Sequence, residues 1–363
     1  IETDGSTPRI GVAAADDIYG PYVDKGSPMF DFGYSAIDNN LFTSSDGVTY
    51  MYYVKDALDN IVDGVYESHI YVVEVNDDYM STKPASEAVE LIVPDQSWEK
   101  MSGGSAWNWV EGCFVHQEGD QYYLFYSANK FSESAYSIGY AVADSPTGPF
   151  VKSEANPLIY TVATEFSGPG NNSLFYSKDG KELFTAYHMH TNPDNPSGNR
   201  YLNIDRIGFR EDGSVFFNGP TFTNQPIPSG ENQFHNLISK EATVTVSSTK
   251  EGFNEFGVND GEVVILAKNE AYDWVSDDDN IEDSSVKFEW NKSQMINSIY
   301  IYQPINVQYR ALSVTLEFSD GTIVEEFVLS DFIGEAAIIN FNGVDASWVT
   351  ITVNEVGFGQ TSF

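Results

Sequence analysis

Hydrophobic and polar residues alternate with a period of two along most of the chain. Tyr, Phe, Val and Ile occupy alternate positions in short runs, and Asp-Gly, Gly-Asp and Gly-Pro pairs separate these runs. In a β-strand a period of two places alternate side chains on opposite faces, and these dipeptides favour tight turns. The pattern therefore predicts an all-β protein.

The chain also repeats itself. Residues 10–22 (IGVAAADDIYGPY) align without a gap on residues 138–150 (IGYAVADSPTGPF). Three units of a turn and a strand, at residues 46–53, 119–126 and 179–187, resemble one another, and a further strand is expected after each. Irregular repeats of a few antiparallel strands are typical of β-propeller blades.

The repeats predict part of one blade followed by three fuller blades, at about residues 34–90, 107–155 and 166–220. The repeat at residues 10–22 has only nine residues before it, too few for inner strands. We therefore expect the propeller to be N-terminally incomplete in this chain, and we expect an N-terminal fragment to complete it.

A different pattern begins near residue 239. Residues 221–239 are rich in Asn, Gln, Pro, Ser and Gly, which predicts a linker or a surface strap. Seven short strands separated by tight turns are expected after it, as in a β-sandwich of jelly-roll type. The expected strands lie at residues 243–247, 287–290, 299–302, 313–318, 324–329, 337–341 and 348–353. The predicted domains are a propeller at 1–238 and a β-sandwich at 239–363.

Composition narrows the classes of partner. The 363 residues include 18 Lys and Arg against 54 Asp and Glu, a formal net charge of −36. Such a surface repels nucleic acid and anionic membranes, so neither is expected as a partner, and the acidity is compatible with an extracellular protein.

Cys113 is the only cysteine and is expected to be a packed, inert thiol. No apolar stretch is long enough to span a bilayer.

One carboxyl group has the surroundings of a proton donor. Glu111 follows Trp107 and Trp109 and precedes an alternating, strand-like run. Burial among apolar groups raises the pKa of a carboxyl group, and a protonated carboxyl beside aromatic rings suits a site that cleaves sugars. The alternative interpretation is that Glu111 simply begins a strand.

Several motifs in a fixed order resemble glycoside hydrolase family 43. The similarity covers roughly residues 8–228, and we identify the chain as a member of that family. The motifs are Gly20-Pro21-Tyr22, residues 35–42 (SAIDNNLF), Trp98-Glu99, Val110-Glu111-Gly112, residues 145–150 (SPTGPF), residues 168–173 (GPGNNS), Tyr187-His188 and residues 200–206 (RYLNIDR).

The resemblance implies a five-bladed β-propeller that hydrolyses arabinofuranosides or xylosides with inversion. It implies that Glu111 is the general acid and that Asp38 is the carboxylate that tunes and orients it. A second negative charge nearby keeps an acid protonated, which agrees with this pairing. From the residues alone, a turn residue ahead of a strand is the favoured interpretation of Asp38. The family's general base lies in an Asp-Pro motif that this chain lacks, so the base is expected outside it.

The resemblance also implies substrate contacts. Arg200 matches an arginine that contacts the sugar or clamps the acid, and a surface ion pair is the alternative. Asn171 stands where the family often has a histidine that holds a central calcium ion, so a structural Ca²⁺ stays an open expectation and no cofactor is expected to be required. His188, like His190, is a candidate to line the channel. Trp107 or Trp109 is expected to stack on the sugar.

The expected function is therefore the inverting hydrolysis of terminal α-L-arabinofuranosyl or β-xylosyl units from a plant polysaccharide or oligosaccharide by an extracellular enzyme. Two alternatives stay open: a non-catalytic carbohydrate-binding protein and a furanosidase acting on galactofuranosides. The C-terminal region resembles galactose-binding-like sandwiches. Asp273, Trp274 and the acidic residues 277–280 are candidates there for a carbohydrate or calcium loop, although a solvated loop or a brace for the propeller is also possible.

Overall fold

The computed structural model describes residues 7–101, 106–163, 165–231, 237–263, 265–266, 272–277 and 284–357. Within these ranges the chain consists of β-strands joined by loops and short 3-10 turns, which confirms the prediction of an all-β protein. Its contacts group into two compact units, residues 1–174 with 185–203, and residues 175–184 with 204–363. The predicted boundary between residues 238 and 239 stays a prediction.

Seventeen strands precede residue 219 in the described ranges. They are β1 (Ala13–Ala14), β2 (Val23–Asp24), β3 (Ala36–Thr43), β4 (Thr49–Lys55), β5 (Ile61–Val62), β6 (Val65–Glu67), β7 (His69–Glu74), β8 (Val89–Ile92), β9 (Trp107–Asn108), β10 (Val110–Glu118), β11 (Gln121–Ala128), β12 (Ser137–Ala143), β13 (Val151–Lys152), β14 (Gly170–Tyr176), β15 (Leu183–His190), β16 (Arg200–Phe209) and β17 (Val215–Asn218).

These strands form three four-stranded sheets in the segments where the repeats predict blades. The sheets have the orders β3-β4-β7-β8, β10-β11-β12-β13 and β14-β15-β16-β17, and β1 pairs with β2 alone. The aligned dipeptides Gly20-Pro21 and Gly148-Pro149 both have cis peptide bonds, and each precedes a two-residue outer strand, β2 or β13. The internal repeat therefore corresponds to a repeated piece of backbone.

A small additional sheet was not expected from the sequence. Strands β5 and β6 form a hairpin, and β6 also pairs in parallel with β9, with Tyr66 opposite Trp107 and Glu67 opposite Asn108. The chain then continues from β9 directly into β10. The small sheet is therefore attached to the strand that carries Glu111.

The core between the first two blade-like sheets follows from the alternating pattern. Tyr52, Val54 and Ile70 of one sheet share a buried cluster with Val110 and Leu124 of the other. Burying apolar side chains of this size contributes roughly 1.5–3 kcal/mol each. Cys113 belongs to this cluster, where burial raises the pKa of its thiol. The prediction of a packed, inert cysteine is confirmed.

The described residues of the C-terminal part form five strands rather than the seven short ones that were expected. They are β18 (Thr243–Val246), β19 (Ser285–Ile301), β20 (Ala311–Phe318), β21 (Ile323–Val328) and β22 (Ala337–Val356). The expected strands 287–290 and 299–302 are parts of β19, and 337–341 and 348–353 are parts of β22. The polar residues between them mark shifts in register within continuous strands, not turns: the extra residues lie in β19 between Glu289 and Gln294, and in β22 between Asn340 and Val344.

These strands form one sandwich-like sheet, β18-β19-β22-β20-β21, as expected for this domain. Ile296 and Ile339, in the register-shifted halves of β19 and β22, share a buried core with Leu316 and Val349. The opposite face is polar. Strand pairing places Lys287 and Glu317 on either side of Thr350, and it places Glu289 directly opposite Trp348. The sheet is thus apolar on one face and polar on the other.

The predicted linker is a strap in the part that the structure describes, residues 221–231. The buried Asp205 accepts hydrogen bonds from Thr221 Oγ1 and from Gln225 Nε2. Arg206 donates to the side chain of Gln225 and to the carbonyl of Pro226. Each bond ties the strap to strand β16, so this segment is held along its length.

Two further expectations concern the C-terminal part and membranes. Trp274 donates its indole N–H to the carbonyl of Ser248, whereas residues 278–280 of the candidate acidic loop lie outside the described residues. Within the described ranges, helical structure is limited to short 3-10 turns, and no segment has the length and apolar composition of a membrane-spanning helix.

Candidate active site

Backbone irregularities place Asp38 and Glu111 beside each other. Strand β3 shifts register between Ile37 and Asn40, and Asp38 lies in this bulge with a φ of 49°. Strand β10 shifts register just after Glu111, at Gly112, whose φ is 60°. The Gly112 amide donates a hydrogen bond to Asp38 Oδ2 at 3.1 Å. Bulges re-aim side chains, and here two of them bring the carboxyl groups into one region.

Glu111 has the pKa that the sequence predicted for a proton donor. Burial and, to a smaller extent, the nearby negative charge of Asp38 raise the pKa of its carboxyl group to about 7. The Tyr136 hydroxyl donates a hydrogen bond to Glu111 Oε1 at 2.8 Å, which favours the ionised form and opposes these effects. At neutral pH a large fraction of Glu111 therefore carries a proton that it can donate.

Asp38 differs from Glu111 in its balance of interactions. Burial also raises the pKa of the Asp38 carboxyl, but the hydrogen bond from the Gly112 amide opposes this rise. Asp56 is a third carboxylate, which the sequence analysis missed, and its charge raises the pKa of both Asp38 and Glu111. It also accepts a hydrogen bond from the Leu58 amide, which explains why it resembles an ordinary turn residue in the sequence.

Arg200 and His188 are brought together with the acid through Tyr136. The His188 ring lies parallel to the Tyr136 ring, with centroids 5.7 Å apart, and Arg200 Nη1 lies 3.1 Å from His188 Nε2. Burial and the charge of Arg200 lower the pKa of His188 to about 4, so the imidazole is neutral at pH 7 and accepts this hydrogen bond. The positive charge of Arg200 also lowers the pKa of Glu111.

Asn171 packs directly against the backbone of the site. Its amide N–H donates to Ser127 Oγ at 2.7 Å, and it has a φ of 54°. A Cβ placed on Gly112 would lie 2.7 Å from Asn171 Oδ1. Only glycine at position 112 therefore allows this close approach.

His190 lies in the interior of the protein. His190 is buried, with Nδ1 near Ser167 Oγ and Nε2 near the carbonyl of Phe131, so its ring is held by the surrounding protein. A structural Ca²⁺ needs several oxygen ligands, whereas Asn171 offers one amide oxygen. No group of three or more His, Cys, Asp or Glu suited to a metal occurs among the described residues. This donor set does not fit a protein-held calcium ion.

The two tryptophans lie in a row with the acid. Trp107, Trp109 and Glu111 are partly exposed, whereas Asn108 and Val110 between them are buried. The rings of Trp107 and Trp109 are nearly parallel, with an interplanar angle of 13° and centroids 5.6 Å apart. Extended backbone places alternate residues on one side, so the expected stacking residues and the acid share a face.

A cavity of about 270 Å³ borders Asp38 on its other side. Its lining includes Arg9, Ile10, Ile37 and Asn39. The Arg9 guanidinium donates to Asp31 and to the carbonyl of Pro8. No pattern in the sequence indicates this cavity, because residues 8–11 and 36–39 are brought together only by the fold.

The site therefore combines a protonated carboxyl, a neighbouring carboxylate, a guanidinium and a row of aromatic rings. Such a set can donate a proton to a leaving oxygen and hold a polar, ring-shaped ligand. Sequence reasoning identified Glu111, Asp38, Arg200, His188 and Asn171, which lie together, but missed Tyr136 and Asp56. Tyr136 had one available signal, its place just before strand β12, which did not distinguish it from the many other tyrosines.

Comparison with known proteins agrees with this chemistry. The family model described as "Glycosyl hydrolases family 43" matches residues 1–215, and one described as "Domain of unknown function (DUF7402)" matches residues 237–362. The crystal structure of a thermostable family-43 glycoside hydrolase is 43% identical with a TM-score of 0.58, covering 61% of this chain and 70% of that one.

Two curated relatives are similar over about half of this chain. A β-D-galactofuranosidase of Aspergillus niger is 30% identical over 200 residues, which is 54% of this chain and 51% of the relative. An extracellular endo-α-(1→5)-L-arabinanase of Bacillus subtilis is 26% identical over 232 residues, or 51% of this chain and 46% of the relative. The chain spans about half the length of these curated relatives.

The family model covers more than half of the chain, and its range contains each of the predicted site residues. Glu111 has the raised pKa and the neighbouring carboxylate that an acid catalyst of glycoside hydrolysis needs. The chain belongs to glycosyl hydrolases family 43.

Proposed function

We propose that this protein hydrolyses glycosidic bonds with inversion, releasing terminal α-L-arabinofuranosyl or β-xylosyl units from a plant polysaccharide or oligosaccharide. The observation that carries the proposal is the carboxyl group of Glu111, which has a pKa of about 7 and lies beside a second carboxylate and a row of aromatic rings. Glu111 acts as the general acid and protonates the departing glycosidic oxygen.

Asp38 keeps this acid protonated. Its negative charge opposes ionisation of Glu111, and the bond from the Gly112 amide fixes its position. Inverting enzymes also need a base that activates water, with the two carboxyl groups roughly 6.5–9.5 Å apart. We assign no described residue to that base, because Asp38 is already engaged in orienting the acid.

Arg200, His188 and Asn171 are proposed to contact the sugar. The guanidinium of Arg200 is exposed and keeps donors free of its bond to His188, so it can bind adjacent hydroxyl groups. The exposed side chain of Asn171 lies beside Gly112, next to the acid, where it can contact the sugar.

Acid–base hydrolysis by carboxyl groups requires no cofactor, and none is proposed.

The sugar that is released is the least determined part of the proposal. The relatives named above are a galactofuranosidase and an arabinanase, so a furanosidase acting on galactofuranosides is the alternative within the same chemistry. The name of the Bacillus subtilis relative includes the word extracellular, and together with the acidic surface it supports the proposal that this protein is secreted.

A carbohydrate-binding role is proposed for the C-terminal domain. Its polar sheet face carries Trp348, with the ammonium group of Lys287 5.2 Å from the ring centroid and paired with Glu289. An aromatic ring bordered by hydrogen-bonding groups is a common arrangement for binding a sugar ring. This role concerns binding alone and is compatible with hydrolysis by the other domain.

The experiment is a comparison of aryl α-L-arabinofuranoside, β-xyloside and β-galactofuranoside hydrolysis by the full-length protein and its Glu111→Gln variant. Hydrolysis of one substrate that depends on Glu111 supports the proposal, and the preferred substrate identifies the sugar. Equal rates for both proteins, or no hydrolysis of any glycoside while sugar binding persists, would favour the non-catalytic carbohydrate-binding protein.

A further inference from the structure

The two bulges beside the acid are built alike. In β3, Asp38 and Asn39 together lie opposite a single residue of β4. In β10, Gly112 and Cys113 together lie opposite a single residue of β11. The first residue of each bulge has a positive φ, 49° at Asp38 and 60° at Gly112. Asp38 therefore occupies in its bulge the position that a glycine occupies in the other.

The backbone of Asp38 needs support from its surroundings. A residue with a Cβ adopts a positive φ infrequently, and such a conformation persists only where neighbouring groups determine it. Strands β3 and β10 are each the first strand of their sheet, so one edge of each has no partner strand in that sheet. Contacts that hold the Asp38 bulge on this edge must therefore come from another sheet.

Three hydrogen bonds join the bulge of β3 to β10. The Gly112 amide donates to Asp38 Oδ2 at 3.1 Å, and the Cys113 thiol donates to the backbone carbonyl of Asp38 at 3.2 Å. The Val115 amide donates to Asn40 Oδ1 at 3.0 Å. All three donors belong to β10 and all three acceptors to β3. The carboxyl group of Asp38, its backbone and the residue two positions after it are thus each bound to the strand that carries the acid.

The bond to Asn40 satisfies a buried backbone donor. Val115 is 4% exposed, and a buried N–H group without an acceptor costs free energy. A side-chain amide is a neutral acceptor, so it adds no charge to a region that already holds two carboxyl groups. An apolar residue of similar size at position 40 would fill the space but accept no hydrogen bond. The identity of residue 40 therefore determines whether this bond forms.

The bond from Cys113 acts on the backbone of the bulge. Burial raises the pKa of this thiol, so at neutral pH it keeps the proton that it donates. A thiol is a weak donor, and serine is the residue that retains a donor at the same position. The acceptor is the carbonyl of Asp38, the residue with the positive φ. The thiol therefore restrains the backbone at the point where the carboxyl side chain is attached.

We propose that Asn40 and Cys113 are positioning residues that hold the carboxyl group of Asp38 beside Glu111. The inference rests on the proposed function, because it takes Glu111 as the general acid. Asn40 and Cys113 act through Asp38 and not on the substrate. The interaction between two carboxyl groups depends on their separation, so the bonds that fix Asp38 also fix how strongly its charge opposes ionisation of the acid.

The pH dependence of the acid reports the position of Asp38. Four residues act on the pKa of Glu111 together with burial, namely Asp38, Asp56, Tyr136 and Arg200. Of these four, Asp38 is the one in the bulge that the two positioning residues hold. If its carboxyl group moves away, the pKa of Glu111 falls and the basic limb of the pH–rate profile moves to lower pH. Coulomb's law gives a shift of about 0.4 pH unit when two unit charges move from about 5 to about 6 Å apart at an effective dielectric constant of about 20.

The test is the pH dependence of kcat/KM for an aryl glycoside, which reports the ionisation of the free enzyme. Asn40→Leu in the full-length protein should move the basic limb to lower pH by about 0.4 unit. Thr43→Val is the matched control, since it removes a side-chain hydrogen bond to Thr49 at the other end of β3 and should leave the limb in place. An unmoved limb in Asn40→Leu, or an equal shift in the control, would overturn the proposal.

A double variant separates positioning from a general loss of structure. In the Asp38→Asn protein the carboxylate charge is already removed, so adding Asn40→Leu should move the limb no further. An additional shift as large as that in Asn40→Leu alone would show that Asn40 acts by another route, which contradicts the proposal.

Cys113 provides a second pair of variants, which also serves if Asn40→Leu does not fold. Cys113→Ala removes the donor and should move the limb in the same direction as Asn40→Leu. Cys113→Ser retains a donor and should match wild type. Equal limbs in Cys113→Ala and Cys113→Ser would count against the hydrogen bond as the cause and overturn the proposal.

A stability measurement keeps the test independent of turnover. The stability contribution of Glu111 is present below pH 4.5 and is lost as the pH rises through its folded pKa. Urea unfolding of Asn40→Leu and of Asn40→Leu/Glu111→Gln should show that this loss ends at a lower pH than in the same comparison for wild type. That result supports the proposal even if no glycoside is hydrolysed, in which case the proposed function alone fails. Identical pH dependence in both comparisons would overturn the positioning role.

Discussion

The Tyr136 hydroxyl donates a hydrogen bond to Glu111 Oε1 at 2.8 Å, and this bond opposes the effects of burial and of Asp38 on the pKa of the carboxyl group. Burial and the charge of Asp38 favour the protonated acid, whereas the bond from Tyr136 and the charge of Arg200 favour the carboxylate. A pKa of about 7 results from this balance. An acid with a pKa near the working pH can both donate a proton and recover it.

Glu111→Gln is expected to abolish most of the activity. The amide retains the shape of the side chain but has no acidic proton to donate, so kcat should fall by about 10²–10⁴-fold at pH 6. Steady-state hydrolysis of an aryl glycoside measures this. Activated substrates whose leaving groups need little protonation should be affected less, and a uniform loss across leaving groups would contradict the role of general acid.

The same substitution is expected to change how stability depends on pH. The folded pKa of Glu111, about 7, lies above its ordinary value of 4.5, so folding favours the protonated form. This contribution is complete below pH 4.5 and is lost as the pH rises through 7, at a cost on the order of 3 kcal/mol. Wild type should therefore lose stability relative to Glu111→Gln between pH 5 and pH 8 in urea unfolding. Parallel curves would exclude a raised pKa.

Asp38→Asn should move the basic limb of the pH–rate profile to lower pH. Removing the negative charge takes away a cause of the raised pKa of Glu111, while the amide oxygen still accepts the bond from the Gly112 amide. Less of the acid is then protonated at pH 7, and kcat there should fall by at least about 10-fold. A full pH profile checks the direction. An unshifted limb with reduced kcat would indicate that Asp38 only orients the acid.

Tyr136→Phe should move the same limb in the opposite direction. The variant removes the hydrogen bond that favours ionised Glu111, so the pKa of the acid rises further, while the ring that lies parallel to His188 is retained. Activity at high pH should increase relative to the optimum, with kcat changed by only about two- to tenfold. Opposite shifts in Asp38→Asn and Tyr136→Phe would be hard to explain by a general loss of structure.

Gly112→Ala should destabilise the protein and the site together. The φ of 60° strains any other residue, and the new Cβ would lie 2.7 Å from Asn171 Oδ1, for a combined cost of about 1–3 kcal/mol. Gly47→Ala is the matched control, since Gly47 has a φ of 88° but no atom near its Cβ position. Thermal unfolding of both variants isolates the clash. Adding Asn171→Ala to Gly112→Ala should restore part of the difference.

Trp348→Ala should weaken polysaccharide binding by the C-terminal domain without changing hydrolysis of an aryl glycoside. The ring borders Lys287 on the polar face of the sheet, whereas the core lies on the other face. Co-sedimentation with insoluble arabinan or xylan measures the loss, and Met295→Ala, at a residue 67% exposed, is the control. Equal retention of both variants would count against a binding role for this face.

Much of the fold was accessible from the sequence because strands and turns are local. Alternation predicted the strands, and the repeat at residues 10–22 and 138–150 predicted related pieces of two blades. The long strands β19 and β22 were misread as pairs of short ones. Polar residues at a bulge resemble a turn when only their neighbours in sequence are considered, because the pairing that continues on both sides of the bulge is made with a distant strand.

The sequence by itself determined the all-β class and the family motifs and led to the prediction that Glu111 is the acid, because these depend on residue type and order. Only the tertiary structure decided how acidic Glu111 is, since its pKa depends on charges and hydrogen bonds from Asp38, Tyr136 and Arg200, each at least 25 positions away in the chain. The stacking of the Tyr66 ring on Trp107 likewise depends on a parallel pairing between distant strands. Electrostatic and packing interactions act through space, so no local pattern can encode them.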